Sequence, residues 1–172
     1  SKQYIDSETE TIESMNNLID WLPKNLPSEK KTGIVHGDYS LTNVMIGKND
    51  PNVIAILDWE LSTLGDPCAD FNYHCLQYTM NPKLADKEFC KNQGIPIIED
   101  YVKMYSERIN IDLTEEWDLY SAYNLFKLAG ILQGILGRVR DGTAAHENAA
   151  ERASGVRNLS DTAWGLVQKN FL

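Results

Sequence analysis

The chain has 172 residues, of which 42% are hydrophobic, enough for one apolar core, and we predict a single globular domain over residues 1–172. Its 16 basic and 25 acidic residues give a net charge of −9. This balance excludes a surface for nucleic acid or anionic membrane, because both are polyanions. Three cysteines without CxxC spacing indicate reduced thiols, and no apolar run is long enough to span a bilayer, so we predict a cytoplasmic protein.

The first predicted element is a helix over residues 7–22. Ser7 and Glu10 have the spacing of a capping box, and the apolar residues after them recur on one helical face. Pro23 ends this pattern, and a polar connector around Pro27 follows.

A β-hairpin is predicted next. A short apolar segment, Ile34 and Val35, leads into a polar run, after which residues 43–47 and 53–58 are rich in β-branched side chains. The five residues between them are turn formers, which favours two antiparallel strands joined by a tight connection.

The remainder of the chain has helical periodicity. One helix is predicted to begin at Pro67, and three more cover residues 97–109, 115–139 and 148–171. The residues placed on the apolar face of the first of these helices are Phe71, Cys75 and Tyr78. The predicted fold class is therefore α+β and mostly α, with one helix, a small hairpin and then a helical bundle.

The residues with the clearest chemical character are Asp38, Asn43 and Asp58. Phosphoryl transfer needs a carboxylate beside the attacking hydroxyl and oxygen ligands that fix magnesium against the nucleotide phosphates. A symmetric hairpin places Asn43 opposite Asp58, and Asp38 lies on the loop that enters the same strand. Carboxylate and amide oxygens suit magnesium, so the pattern indicates a metal site carried by the hairpin.

Two motifs in this order resemble a known family. Residues 36–43, HGDYSLTN, have the form HGDxxxxN, and residues 57–70 read LDWELSTLGDPCAD. Together they resemble the aminoglycoside phosphotransferase and choline kinase superfamily, whose members are relatives of protein kinases. The second motif is particularly similar to phosphotransferase domains associated with acyl-CoA dehydrogenases, and residues 126–138, FKLAGILQGILGR, support the same branch. The resemblance implies the C-terminal lobe of a protein-kinase-like fold.

The resemblance also implies a role for each matched residue. It makes Asp38 the catalytic base, and it makes Asn43 and Asp58 the residues that bind Mg²⁺ and, through it, ATP. Glu60 is a second and weaker metal ligand. The residues implied to support the loop are His36 and Asp70. The implied acceptor is a small-molecule hydroxyl, of a hydroxyacyl-CoA-like or an aminoglycoside-like compound.

One part of the family pattern is missing from this sequence. Kinases of this type bind the nucleotide phosphates with a glycine-rich strand-turn-strand and a lysine on a strand. No segment before His36 has these features. We therefore expect that the N-terminal nucleotide-binding lobe is absent and that the isolated chain is inactive. Apolar surface should then be exposed on the hairpin side, where the N-terminal helix or self-association would cover it.

Other functions stay open at this point. The chain is compatible with a non-catalytic binding or assembly module derived from a kinase lobe. A metal-dependent hydrolase would instead use His36 with Asp38, and it requires a ring nitrogen of His36 that faces a cleft. Two arginines, Arg138 and Arg140, fit either an anionic substrate or the C-terminal end of a helix equally well.

Overall fold

The computed structural model describes residues 1–26 and 31–172, so the connector around Pro27 lies largely outside the described residues. The chain divides into two compact units, one formed by residues 1–27 and 121–172 and the other by residues 28–120. Each unit is described below by itself.

The elements follow one another in an order close to the predicted one. The helices are α1 (Lys2–Asp6), α2 (Glu13–Trp21), α3 (Pro67–Cys75), α4 (Gln77–Met80), α5 (Pro82–Ala85), α6 (Lys87–Asn92), α7 (Ile98–Ile109), α8 (Trp117–Arg140), α9 (Ala149–Arg152) and α10 (Val156–Phe171). The strands are β1 (Gly33–Val35), β2 (Val44–Ile46), β3 (Val53–Ile56) and β4 (Thr63–Gly65). The architecture is therefore mostly helical with small antiparallel sheets, as the sequence predicts.

The first helix begins later than the capping-box spacing predicts. Ser7 does not cap α2, because its hydroxyl donates to the carbonyl oxygen of Gln3 at 2.7 Å and so closes the end of α1. Ile12 has an extended backbone, and α2 begins only at Glu13. The predicted helix over residues 148–171 is likewise two helices, α9 and α10.

The core of the first unit lies where α2 packs against α10. Met15 and Leu18 of α2 and Ala163 and Val167 of α10 are fully buried, so the two helices bury their apolar faces against each other. A hydrogen bond of 2.6 Å from the Ser14 hydroxyl to the Asp161 carboxylate adds a polar link between the same helices.

Arg140 makes structural contacts within the first unit. Its guanidinium donates to the Glu8 carbonyl oxygen at 2.8 Å and pairs with the Asp141 carboxylate at 2.8 Å. These bonds lie at the end of α8, where a cation also opposes the helix dipole. They favour the interpretation that Arg140 stabilises the C-terminal end of a helix over the one that it binds an anionic substrate.

In the second unit the four strands form two nested antiparallel pairs. β2 and β3 form the predicted hairpin, in which Val44 pairs with Ile56. β1 and β4, which flank the hairpin in sequence, pair with each other. β4 was not among the strands predicted from the sequence. The nesting places the loop after β1 and the turn after β3 at the same junction between the two pairs.

The helical core of the second unit is aromatic and sulfur-rich. The Phe71 ring on α3 stacks on the Tyr105 ring of α7 at a centroid distance of 3.8 Å. Cys68 and Cys75 of α3 are buried in the same cluster, and burial raises the pKa of each thiol to about 12. Both therefore stay protonated at neutral pH and pack as small apolar side chains. Among the described residues no helix has the length and apolarity needed to cross a bilayer.

Candidate functional site

The backbone of Leu57 connects the loop after β1 to the hairpin. Its N–H donates to the Asn43 carbonyl oxygen at 2.8 Å, which extends the β2–β3 ladder by one bond. Its carbonyl oxygen accepts a hydrogen bond of 2.8 Å from His36 Nε2. Leu57 therefore holds both ends of the 36–43 segment through its backbone. Such a role cannot be predicted from the sequence, because it does not depend on the side chain.

His36 lies beneath the loop rather than in a cleft. It is 2% exposed, and its Nδ1 accepts a hydrogen bond of 3.3 Å from the backbone N–H of Asp38. Because Nε2 donates and Nδ1 accepts, the two bonds together fit the neutral tautomer that carries its proton on Nε2. Neither ring nitrogen is left to bind a metal or accept a proton, which disfavours the hydrolase alternative.

Asp70 on α3 holds the backbone of the same loop. Its Oδ1 accepts from the Gly37 N–H at 3.0 Å, and its Oδ2 accepts a short hydrogen bond from the His36 N–H. α3 is itself capped by Asp66, whose carboxylate accepts from the Cys68 N–H at 2.9 Å. The half-buried Asp70 carboxylate therefore joins a capped helix to two consecutive loop residues.

Gly37 is required by both backbone conformation and space. Its φ is +86°, a region that L-residues avoid, and a Cβ at this position would lie 2.6 Å from the carbonyl oxygen of Leu61. The loop can therefore pass this close to the turn that follows Asp58 only with glycine after His36.

The carboxylate of Asp38 receives hydrogen bonds from two directions. Asn43 Nδ2 donates to Asp38 Oδ2 at 3.1 Å and to the Asp38 carbonyl oxygen at 2.9 Å. The hydroxyl of Tyr73, on α3, donates to the same carboxylate. Because both bonds of Asn43 use its amide nitrogen, its amide oxygen remains an acceptor without a donor among the described residues.

Asp58 lies one residue beyond the position that faces Asn43. The prediction of an Asn43–Asp58 pair is wrong by one residue, since Leu57 occupies that place. The Gly47 N–H donates to the Asn52 carbonyl oxygen at 3.0 Å, so the turn is centred one residue earlier than a symmetric hairpin predicts. A bulge at Ile54 then changes the register again within the hairpin.

Asp58 also has an unusual backbone, with φ +66° and ψ +54°, and its side chain is exposed. Glu60, on the following single 3-10 turn, is exposed as well. Within residues 1–26 and 31–172, neither carboxylate has a hydrogen-bond or ion-pair partner. In the same part of the chain no group of three or more His, Cys, Asp or Glu side chains could hold a metal ion.

Aromatic side chains continue from the loop onto the helices. The Tyr39 ring lies 5.4 Å from the His74 ring, and the Tyr101 hydroxyl lies 3.2 Å from His74 Nε2. Burial lowers the pKa of His74, so this imidazole is neutral at pH 7. Tyr39, the residue after Asp38, is therefore part of a half-buried aromatic cluster with His74 and Tyr101.

The strands of the second unit and the turns beside them carry exposed apolar side chains, which we name the apolar ribbon surface. Its side chains are 44–74% exposed and make up more than half of the exposed large hydrophobic residues among those described. They are Ile34, Leu41, Met45, Ile46, Val53, Ile54, Leu57, Trp59, Leu61 and Leu64. This concentration agrees with the expectation of exposed apolar surface on the hairpin side.

Comparison with known proteins decides which family builds such a site. The sequence profile of the phosphotransferase enzyme family matches residues 1–123. The chain belongs to this family. A crystal structure of a candidate aminoglycoside phosphotransferase from Ralstonia eutropha JMP134 superposes with a TM-score of 0.91 at 42% identity, over 99% of this chain and 54% of that chain.

Curated relatives point to the branch that the 57–70 motif resembles. Acyl-CoA dehydrogenase family member 10 of Mus musculus is 37% identical over 98% of this chain and 16% of its own length. Acyl-CoA dehydrogenase family member 11 of Rattus norvegicus is 35% identical over 99% of this chain and 23% of its own length. The chain thus spans less than a quarter of these relatives and about half of the solved chain, and it has the kinase-like fold of the family.

Proposed function

We propose that the chain is the catalytic lobe of an ATP- and magnesium-dependent phosphotransferase that acts on a small-molecule hydroxyl, with Asp38 as the catalytic base. One observation carries the proposal: within one loop, Asn43 orients the Asp38 carboxylate with its amide nitrogen and keeps its amide oxygen for another ligand. Membership in the phosphotransferase enzyme family supports the reaction class.

The reaction follows from this arrangement. Asp38 accepts the proton as the acceptor O–H bond breaks, while the acceptor oxygen bonds to the γ-phosphorus and the bond to the bridging oxygen breaks to leave ADP. A carboxylate has about four lone-pair sites, and Asn43 and Tyr73 use only part of them, so one remains for the acceptor hydroxyl.

The residues present fit a magnesium ion that is shared with a nucleotide. Mg²⁺ is held in such enzymes by one or two protein oxygens together with phosphate oxygens and water. Asn43 offers its amide oxygen and Asp58 an exposed carboxylate, and we place Glu60 as the weaker third candidate. When bound, the ion would neutralise charge on the phosphates.

We propose that the cationic groups that bind the nucleotide phosphates belong to residues outside this chain. Asp38, Asp58 and Glu60 would repel a polyphosphate, and residues 1–35 contain no glycine-rich loop with a lysine. The 172 residues alone are therefore expected to bind Mg-ATP weakly and to release no ADP at a useful rate. Calorimetry with Mg-ATP tests this directly, and micromolar affinity would contradict it.

For the acceptor we propose a hydroxyacyl-CoA-type compound. The relatives named as acyl-CoA dehydrogenases support this choice, whereas the solved neighbour and the net charge of −9 favour a cationic acceptor such as an aminoglycoside. ADP release with 3-hydroxybutyryl-CoA and with kanamycin, measured in parallel on a form that includes any coding sequence upstream of Ser1, separates the two. Turnover with kanamycin alone would overturn the acceptor assignment.

The apolar ribbon surface favours a second property. Large exposed apolar surfaces on monomers mark interaction sites, and we propose that in the isolated chain the apolar ribbon surface mediates self-association. If the chain proved to be only an assembly module, association would occur without any turnover in the longer form. Sedimentation equilibrium should show concentration-dependent association of the wild type and its weakening in Ile54→Lys, and a strictly monomeric wild type would contradict the proposal.

A further inference from the structure

We propose that Tyr73 is a positioning residue that fixes the Asp38 carboxylate for proton transfer. The inference rests on the proposed function, because it takes Asp38 to be the base. Neither the HGDxxxxN motif nor the second motif includes this tyrosine, and the apolar face predicted for its helix consists of Phe71, Cys75 and Tyr78 without it.

The geometry of α3 supports the proposal. Tyr73 follows Asp70 by three residues, so the two side chains lie on neighbouring positions of one helical face. Asp70 binds the backbone of His36 and Gly37, and Tyr73 binds the side chain of Asp38. The same face of one helix therefore holds three consecutive residues of the loop.

The two donors to Asp38 come from different elements. Asn43 belongs to the loop and would move with it, whereas Tyr73 belongs to a helix whose Phe71 and Cys75 are buried in the core. A carboxylate held from both sides keeps one rotamer, and a base held in one orientation meets the acceptor hydroxyl without a reorganisation step. Asn43 alone would leave the carboxylate free to follow any loop movement.

Tyr73 also stays a donor throughout the useful pH range. Burial and the neighbouring Asp38 carboxylate raise the pKa of Tyr73 to about 12, so its phenol keeps its proton at neutral pH. It donates to Asp38 without competing with it for the proton of the acceptor.

Tyr73→Phe removes only the phenolic oxygen and is the direct test. In crystals of the 172-residue chain we expect the Asp38 carboxylate to occupy one rotamer in the wild type and two or more in Tyr73→Phe. The matched control is Tyr78→Phe, which removes a hydrogen bond of 2.8 Å to the Pro96 carbonyl oxygen and should leave Asp38 unchanged. A single, unchanged Asp38 rotamer in Tyr73→Phe would overturn the inference.

Kinetics of a form that turns over Mg-ATP provide the second readout. Tyr73→Phe should lower kcat on the order of 10-fold, with KM for Mg-ATP changed by less than about twofold, because the contact acts on the base and not on nucleotide binding. In an Asp38→Ala background the same substitution should add no further loss, and an equal additional loss would show a role independent of Asp38. If Asp38→Ala alone kept full turnover, the base assignment itself would fail, whereas the crystals would still show whether Tyr73 holds the side chain.

Discussion

On the α3 side of the candidate site, the backbone of His36 and Gly37 and the carboxylate of Asp38 are each hydrogen-bonded to a side chain of that helix. On the other side of the candidate site, just after β3, Asp58 and Glu60 are exposed and have no side-chain partner in the described part of the chain. The α3 side therefore already holds the Asp38 carboxylate in place, as a general base requires. The other side has oxygen donors that a metal ion and a nucleotide would have to organise when they bind.

The backbone shows the same contrast. Gly37 has a positive φ that glycine adopts at little energetic cost, whereas Asp58 has a positive φ in a residue with a Cβ. Strained conformations of this kind are kept where function needs the side chain in that place. Asp58 thus has a less favourable backbone conformation than Gly37, which agrees with the proposal that its carboxylate binds a ligand.

The largest loss of stability is expected from Gly37→Ala. The new Cβ combines an unfavourable φ with a contact of 2.6 Å to the Leu61 carbonyl oxygen, and the free energy of unfolding should fall by about 3 kcal/mol. Urea denaturation measures this change. The control is Gly94→Ala, where φ is +67° but nothing lies within 4 Å, and the loss should be only about 1 kcal/mol. Equal losses at the two positions would show that the close approach is unimportant.

Asp70→Ala should have the next largest effect. Two loop N–H groups lose a charged acceptor, which should lower the free energy of unfolding by about 2–3 kcal/mol and remove the exchange protection of the His36 and Gly37 amides. Hydrogen exchange followed by NMR resolves these two amides. Asp86→Ala is the matched control, because Asp86 also accepts from two N–H groups but at the exposed start of α6, and its loss should be about 1 kcal/mol. Retained protection of both loop amides in Asp70→Ala would contradict the role of Asp70.

Asp58→Gly should change stability least. Glycine relieves the positive φ, so the free energy of unfolding should stay level or rise by up to about 1 kcal/mol, while magnesium-dependent nucleotide use is lost in a form that has it. Asn110→Gly relieves the other positive φ of a non-glycine residue in the described chain and should stabilise to a similar degree without any loss of nucleotide use. A clear destabilisation by Asp58→Gly would show that the aspartate supports the fold rather than a ligand.

The elements with a strong period could be predicted from the sequence. α7 and α8 lie close to their predicted positions, because their apolar spacing reflects burial. The β2–β3 hairpin was predicted from its β-branched residues and the turn formers between them, although most of its apolar side chains are exposed. β4 was missed because three residues cannot display a period. The start of α2 was mistaken because the Ser7 hydroxyl closes the preceding helix instead of opening the next one.

Within the site, residue types were predictable and contacts were not. The motifs single out Asp38, Asn43 and Asp58, but the hairpin register depends on turn closure and on a bulge that the strand pattern does not encode. The link from Tyr73 to Asp38 was missed because an aromatic residue on a core helix predicts packing. Its position three residues after Asp70 is the signal that could have revealed it.

The most direct test of the central claim is γ-phosphate transfer by a form of the protein that includes any coding sequence upstream of Ser1, compared between the wild type and Asp38→Ala. Because the base acts in the transition state, kcat should fall by about 10²–10⁴-fold while KM for Mg-ATP stays nearly unchanged. Transfer from γ-labelled ATP to 3-hydroxybutyryl-CoA or kanamycin measures both parameters. Turnover by Asp38→Ala within about twofold of the wild type would contradict the assignment of Asp38 as the base.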